Sequence, residues 1–478
     1  MDEVTSQERR VEGPVHFLGV GGAGVSGALR IARAAGVEVS GADLASTRFS
    51  ALLEDEGVSV SYGSHTLPEG TRLLVRSAAV PETDPTCQAA TARGVEVLKY
   101  AQFLGRISPA GRTLAVAGTH GKTTVSWMLY HALRGIALEL NGPKPGALIG
   151  GVCQREETNA IAPEGGGSFA VEACEYDRSF LQLDPRGAII TNLEADHLDY
   201  YGTIEAIEGA FSRFVDRVED DGLLVLGPEV SEVVEVSAGC EVWRMGKEFR
   251  VELLGERQGR FRFRVCGPKW ATPEVSLQVA GEFNVENAAL AIALAVGLAA
   301  RGDKADAAAA AAGAARGIME FQGVERRFEL WGEEDDVLVY HDYAHHPTEV
   351  RVTLETARRV LPGRELHVLF QPHQHSRTAR FLGDFVESLR GADRVVIADV
   401  YGARAHIDSE SAGAEELVRR LGLAGVEAVA GGSLGGSVQA TVEGLQAGSG
   451  LLVLGAGDVD GVREELLERL AVRSALIS

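Results

Sequence analysis

The sequence predicts an α/β protein of three domains. Short apolar runs end at glycine or at acids and pass into amphipathic stretches, the alternation that builds parallel sheets with covering helices. That alternation restarts twice, after residue 111 and after residue 324. The 478 residues suit about three domains at roughly 150 residues each, and 45% hydrophobic content fills their cores. The expected domains are a Rossmann-like domain over 1–110, a central P-loop domain with an antiparallel patch over 111–324, and a second Rossmann-like domain over 325–478.

The first domain opens with an apolar strand, Val15 to Val20, that runs through Gly19-Val-Gly21-Gly22-Ala-Gly24 into a helix from Val25 to Ala35. A second strand, Val37 to Ala42, ends at Asp43. Glycines in such a loop let the backbone approach a diphosphate, and the acid about twenty residues on can meet a ribose hydroxyl. NAD, UDP and no ligand at all fit this pattern. Strands at Val58–Tyr62, Leu73–Arg76 and Val95–Leu98 alternate with helices at Thr47–Glu56 and Pro85–Arg93 before a break near Ser108.

The second domain is built around Gly118-Thr119-His120-Gly121-Lys122-Thr123-Thr124, between the strand from Thr113 and a helix over Val125–Leu133. Loop N–H groups and the positive helix end suit a phosphate chain; Lys122 reaches terminal phosphates and the Thr123 hydroxyl suits Mg²⁺. Val116 replaces the first glycine of the general P-loop pattern, so the match is to a shorter form. Strands ending in Glu172-Ala-Cys-Glu-Tyr-Asp177 and Asn192-Leu-Glu-Ala-Asp196-His197 bring acids and an imidazole to the carboxyl end of a parallel sheet, making Glu172 and His197 metal candidates. Asn141–Gly146 and Gln154–Ser168 read as loops, Gly222–Leu226 as a strand and 240–279 as antiparallel β structure. Asn284 suits either a helix cap or a ligand contact, and the amide of Asn287 suits an adenine edge. The alanine-rich stretch Ala305–Ala315 reads as helix without chemistry.

After a linker over Gln322–Phe328, strands at Val337–Tyr340 and Leu366–Phe370 end in histidine-rich loops. These are His341-Asp342-Tyr343-Ala-His345-His346-Pro347 and Gln371-Pro-His373-Gln-His375-Ser-Arg377. Zinc is one reading; a polar substrate site with Asp342, His345 and Arg377 is favoured, since no cysteine joins the histidines. Helices over Thr348–Val360, Arg377–Leu389, Glu415–Leu421 and Val459–Leu470 and strands at Arg394–Ala398 and Leu451–Gly455 complete the domain.

Net charge is −22, from 68 acidic and 46 basic residues, which argues against nucleic-acid binding through a basic face. Five scattered cysteines without CxxC spacing read as free thiols in a reducing compartment. The polar start, Met1 to Gly13, and the lack of an eighteen-residue apolar run predict neither signal peptide nor membrane span, hence a cytoplasmic protein.

Together the two glycine loops, E-A-C-E-Y-D, T-N-L-E-A-D-H-L-D, N-V-E-N-A, H-D-Y-A-H-H-P-T-E-V and F-Q-P-H resemble the Mur ligases, over nearly the whole chain. The resemblance implies an ATP- and Mg²⁺-dependent ligase of peptidoglycan synthesis, a monomer or homodimer, whose third domain closes over the site. It implies UDP-sugar contacts from Gly19, Gly21, Gly22, Gly24 and Asp43, and ATP contacts from Gly118 to Thr124, Asn284, Asn287, Arg327 and Asp342. Thr123, Glu172 and His197 become the metal ligands. Tyr343, His373 and Arg377 meet the amino acid, and Lys122, His197, His345 and His346 serve the chemistry. No lysine occurs between Lys144 and Lys247, where many relatives carry a carbamylated one. That favours the alanine-adding branch or its recycling cousin over the branches that add later residues. The recycling branch, which adds L-alanyl-gamma-D-glutamyl-meso-diaminopimelate, usually has a basic insertion after Glu-Tyr-Asp, where this chain has Arg178-Ser-Phe-Leu-Gln-Leu. The branch joining L-alanine to the lactyl carboxylate of UDP-N-acetylmuramate is therefore favoured, with the recycling branch as the alternative. Gln374, directly after F-Q-P-H, stands where alanine-adding relatives often have arginine. A nucleotide-dependent switch and an NAD-binding protein are remoter readings.

Overall fold

A computed structural model describes residues 11–63, 66–228, 230, 234, 236, 239–301, 304–402 and 413–477; the first ten residues of the polar start lie outside them. Three mostly parallel sheets follow one another along the chain, as the α/β reading expects. The first holds β1 (Val15–Leu18), β2 (Val39–Asp43), β3 (Ser59–Tyr62), β4 (Leu73–Arg76) and β5 (Glu96–Lys99) in the order β3-β2-β1-β4-β5. The second holds β6 (Thr113–Ala117), β7 (Gly146–Cys153), β8 (Thr158–Ile161), β9 (Phe169–Glu172), β10 (Gly187–Ile190), β11 (Leu223–Leu226) and β12 (Glu241–Arg244), ordered β12-β11-β10-β6-β9-β7-β8. A small sheet of β13 (Arg250–Arg257), β14 (Arg260–Gly267), β15 (Trp270–Ala271) and β16 (Val275–Ser276) follows. The last sheet holds β17 (Glu329–Glu334), β18 (Val337–Asp342), β19 (Leu366–Phe370), β20 (Arg394–Ala398), β21 (Glu427–Gly432) and β22 (Gly450–Leu454), ordered β17-β18-β22-β19-β20-β21.

By contact the chain forms two compact units. One comprises 1–254, 263–276 and 285–322; the other comprises 255–262, 277–284 and 323–478. Within the first unit one apolar core runs from Val15, Phe17 and Phe103 under the first sheet to Phe169, Phe180, Phe211 and Phe214 under the second, and a smaller one holds Leu18, Leu67, Leu74 and Cys87. In the second unit the last sheet is covered on both faces, by Phe370, Phe385 and Leu417 on one and by Trp331, Val438 and Leu466 on the other. Both faces being buried explains why its strands read as continuous apolar runs.

The helix Lys122–Glu139 behind the P-loop is buried nearly all round, because it lies between its sheet and the helix Lys304–Met319. Their backbones meet at Gly135, Gly313 and Gly317, where an added Cβ would strike the facing backbone.

Several sequence expectations need correction. The segment Gln154–Ser168, read as a loop, contains β8, whose Asn159 and polar flanks hide the strand signal. Residues 240–279 are not all antiparallel: β12 joins the second sheet in parallel with β11. The edge strand β17 was not expected, and it pairs antiparallel with β18. The helix expected over Arg377–Leu389 is two helices, His375–Arg380 and Leu382–Leu389, and the last helix starts as a 3-10 turn over Val459–Val462 before Arg463–Ile477. No helix among the described residues is long and apolar enough to cross a membrane.

Candidate active site

The phosphate-loop strand β6 lies between β9 and β10, and this order brings both acid-bearing strands beside the loop. Gly118 has φ +134°, and a Cβ there would strike the Thr191 side chain; Gly121 has φ +80° and starts the helix. Both glycines are needed for the loop to turn tightly. The loop is held from β10: Thr119 N donates to Asn192 O (3.1 Å), His120 N to Asn192 Oδ1 (2.8 Å), and Thr191 Oγ1 to His120 O (2.7 Å).

Lys122 Nζ donates to the Gly118 carbonyl (2.6 Å) and the Thr119 carbonyl (2.9 Å) and lies 2.9 Å from Glu175 Oε2. Glu175 is 4% exposed and lies 3.5 Å from His197 Nε2. Burial pushes the Glu175 carboxyl up, but Lys122 and His197 outweigh it and hold it below the ordinary range. Burial pulls the Lys122 ammonium down, and Glu175 reverses that, so its pKa is raised. The result is a cation kept charged at a loop mouth, with Thr123 buried beside it.

Of the proposed metal ligands, Glu172 ends β9 with Oε2 accepting from Gly150 N (2.8 Å). His197 sits in a left-handed conformation (φ +51°) with its ring 5.2 Å from that of Tyr176. A hydroxyl, a carboxylate and an imidazole are donor types that suit a cation accompanying a triphosphate. Asn287 faces the same loop: a Cβ on Gly121 would lie 3.1 Å from its Oδ1.

The other glycine loop has a different mouth. Gly19 (φ +83°) packs on Ser77, and Gly24 packs on the Tyr100 ring. Asp43 Oδ2 accepts from Gly21 N (2.7 Å) and Oδ1 from Leu44 N (2.7 Å), so this acid braces the loop itself. Gly22 is the N-cap of the helix Ala23–Ala34.

In the second unit, β18, β22 and β19 are adjacent, and the loops at their carboxyl ends converge. The rings of Tyr343 and His345 are 5.3 Å apart, those of His345 and His373 5.7 Å, and His373 stacks on Tyr401 at 5.5 Å. Arg377 Nη1 lies 3.4 Å from His373 Nδ1. The guanidiniums of Arg326 and Arg327 lie 4.6 and 5.1 Å from the Tyr343 ring centroid.

Asp342 holds this arrangement from below. Its Oδ2 accepts from Phe328 N (2.7 Å) and its Oδ1 from Ala344 N (2.8 Å). Burial pushes its carboxyl up to about 6, although Arg327 opposes this. His346 is the N-cap of the helix Pro347–Val360, with Nδ1 accepting from Thr348 N (3.4 Å), whereas His345 faces the ring cluster. Asn284 is not the cap of its helix: it lies inside Phe283–Ala299 and donates through Nδ2 to the Ala280 carbonyl (2.6 Å).

Sequence reasoning gave no role to Glu175, Asn192 or Tyr401. The first two follow strands flanking β6, so a correct strand order would have found them. Tyr401 follows β20, and only the third dimension brings it to His373.

Family models for the Mur ligase family catalytic domain, the Mur ligase middle domain and the Mur ligase glutamate ligase domain match residues 14–112, 116–295 and 326–457. The chain is 40% identical over 485 residues to a UDP-N-acetylmuramate–L-alanine ligase of Kineococcus radiotolerans, covering 96% of this chain and 97% of that one. Among solved structures it is similar to a UDP-N-acetylmuramate-alanine ligase from Thermotoga maritima, at TM-score 0.76 and 26% identity, covering 96% and 99% of the two chains. It is also similar to a murein peptide ligase from Psychrobacter arcticus, at TM-score 0.69 and 25% identity, covering 96% and 98%. With two glycine loops on parallel sheets, a caged lysine and full-length relatives at this identity, the chain belongs to the Mur ligase family.

Proposed function

We propose that the protein joins L-alanine to the lactyl carboxylate of UDP-N-acetylmuramate at the cost of ATP, as an enzyme of peptidoglycan synthesis in the cytoplasm. The observation that carries this reading is a phosphate loop with a caged Lys122, in a chain matched end to end by an alanine-adding ligase.

A carboxylate does not react with an amine at useful rates. The γ-phosphoryl group of ATP is therefore transferred to the lactyl carboxylate, giving an acyl phosphate and ADP. The alanine amine attacks the acyl carbon, and the tetrahedral intermediate collapses with loss of phosphate. Both steps gather negative charge, which Lys122 and the N–H groups from Gly121 to Thr124 would meet. Thr123, Glu172 and His197 would hold Mg²⁺, which when bound neutralises charge on the phosphates.

Gly118 to Thr124, Asn287, Asn284, Arg327 and Asp342 serve ATP; for Asp342 the service is to pin the segment carrying Arg327. Gly19, Gly21, Gly22, Gly24 and Asp43 serve the UDP-sugar over residues 1–110, and 111–324 forms the ATP domain. Residues 325–478 carry the amino-acid contacts Tyr343, His373 and Arg377, and closure of this domain shields the acyl phosphate from water. His345 is the candidate to take a proton from the alanine ammonium, and His346 positions it from the helix cap.

A coupled assay of ADP release tests the reading. Turnover requires UDP-N-acetylmuramate, L-alanine and Mg²⁺ together. Equal release without the amino acid overturns it, and turnover with L-alanyl-gamma-D-glutamyl-meso-diaminopimelate in place of alanine transfers the chain to the recycling branch.

A further inference from the structure

We propose that Asn159 is a positioning residue, which fixes the start of the glycine-loop helix Ala23–Ala34 to the sheet carrying the phosphate loop and so sets affinity for the UDP-sugar. The inference rests on the reading of Gly19–Gly24 as the UDP-sugar loop. Asn159 belongs to β8, on the sheet that holds β6, and is 0% exposed.

Both ends of its amide are committed to the first domain. Nδ2 donates to the Ala23 carbonyl (2.6 Å) and lies 3.5 Å from Ser26 Oγ; Oδ1 accepts from Arg30 Nη1 (2.6 Å). Arg30 is held in turn by Glu56, 2.8 Å from its Nε. The close approach uses Gly27, where a Cβ would lie 3.1 Å from Asn159 Nδ2.

A spacer between two packed layers needs no polar group, and burying an amide is costly unless its hydrogen bonds are made. Here they are made, and they are directional. Ala23 is the residue after the Gly22 N-cap, and that helix has no side-chain cap of its own. The N–H groups of its first turn are without partners inside the helix, and where they point depends on where that turn is held. Ala23 O receives Ser26 Oγ (2.9 Å) from within the helix, and Asn159 adds a hydrogen bond that ties the turn to the second sheet.

The test separates the two ends of the amide. Asn159→Asp keeps an acceptor for Arg30 but sets an oxygen against the Ala23 carbonyl. The expected result is a rise of about tenfold in KM for UDP-N-acetylmuramate, with KM for ATP and for L-alanine within about twofold, since small misplacements of binding groups are costly. Arg30→Met leaves the Ala23 bond and raises the same KM by less than about threefold. Asn159→Ser, too short to reach Ala23, carries the first expectation if the aspartate variant does not fold. An unchanged KM for the UDP-sugar, or a parallel rise in KM for ATP, overturns the proposal. A wild-type enzyme that turns over without UDP-N-acetylmuramate overturns the loop reading instead.

Discussion

The two glycine loops of the first unit sit at the same place in their sheets, after a central buried strand and before a helix, yet their surroundings equip them for different work. The loop after β1 has no cation of its own, and the acid of the next strand, Asp43, is used to hold Gly21 N. The loop after β6 carries Lys122, which Glu175 keeps charged, and both neighbouring strands deliver polar groups to it. Glycine pattern and strand–loop–helix context are shared; the charge inside the loop is not. A glycine loop determines how near a phosphate can come, and the flanking strands determine whether a phosphoryl group can be moved.

The sharpest break of that comparison is to make the second loop resemble the first. Lys122→Met removes the cation and is expected to lower kcat at least about 10³-fold in the ADP-release assay, in line with losing an electrostatic stabiliser of the transferring group. It also leaves the buried Glu175 with His197 but without its ammonium partner, a cost in stability of its own. Lys122→Met combined with Glu175→Gln therefore melts higher than Lys122→Met alone while remaining inactive. Recovery of activity in the double variant would show that charge balance, and not Lys122, carries the chemistry.

Next in size is a matched pair of glycine substitutions. Gly118→Ala forces a side chain into a φ of +134° and against Thr191, and is expected to destabilise by about 3 kcal/mol. Gly22→Ala has an ordinary φ of −88° and its nearest neighbour at 3.5 Å, so its cost is the modest N-cap preference, under about 1 kcal/mol. Urea melts of the two variants decide this, and equal losses would remove the claim that the second loop is the more tightly constrained.

The sequence made the loops legible because each compresses its mechanism into a few consecutive residues. Gly118 to Thr124 read as a phosphate site without help from the fold. Glu175 and Asn192 were visible as members of strand ends, but their roles depend on β9 and β10 flanking β6, an order that local patterns do not encode. The histidine loops show the opposite limit. Residue types alone named Asp342, His345 and Arg377, and the family resemblance added Tyr343 and His373, but neither told that His346 is occupied as a helix cap or that Tyr401 closes the ring stack. Strand β8 escaped because its core-facing role belongs to a polar residue, Asn159, whose partners lie more than a hundred residues away.

The smallest effect at neutral pH concerns the helices behind the loops. Ala23–Ala34 buries one apolar stripe, whereas Lys122–Glu139 is enclosed and buries His131, which is 0% exposed among Tyr130, Phe321 and the Cys153 thiol. Burial, helped by Arg134 and Arg155, pushes this imidazole down to about 3, so it is neutral in the folded protein. Unfolded, it titrates near its ordinary 6.5. Above that pH neither state binds the proton and His131 costs nothing. As pH falls from 6.5 towards 3 the unfolded chain takes up a proton that the folded chain refuses, and stability drops by about 1.4 kcal/mol per unit. Between pH 7.5 and pH 5 the wild type should therefore lose about 2 kcal/mol more than His131→Phe, which keeps an aromatic ring in the site without the titration. Parallel pH dependence of the two in urea melts would mean that the enclosure of the second helix does not extend to its imidazole, and the contrast between the two loops would then end at Lys122.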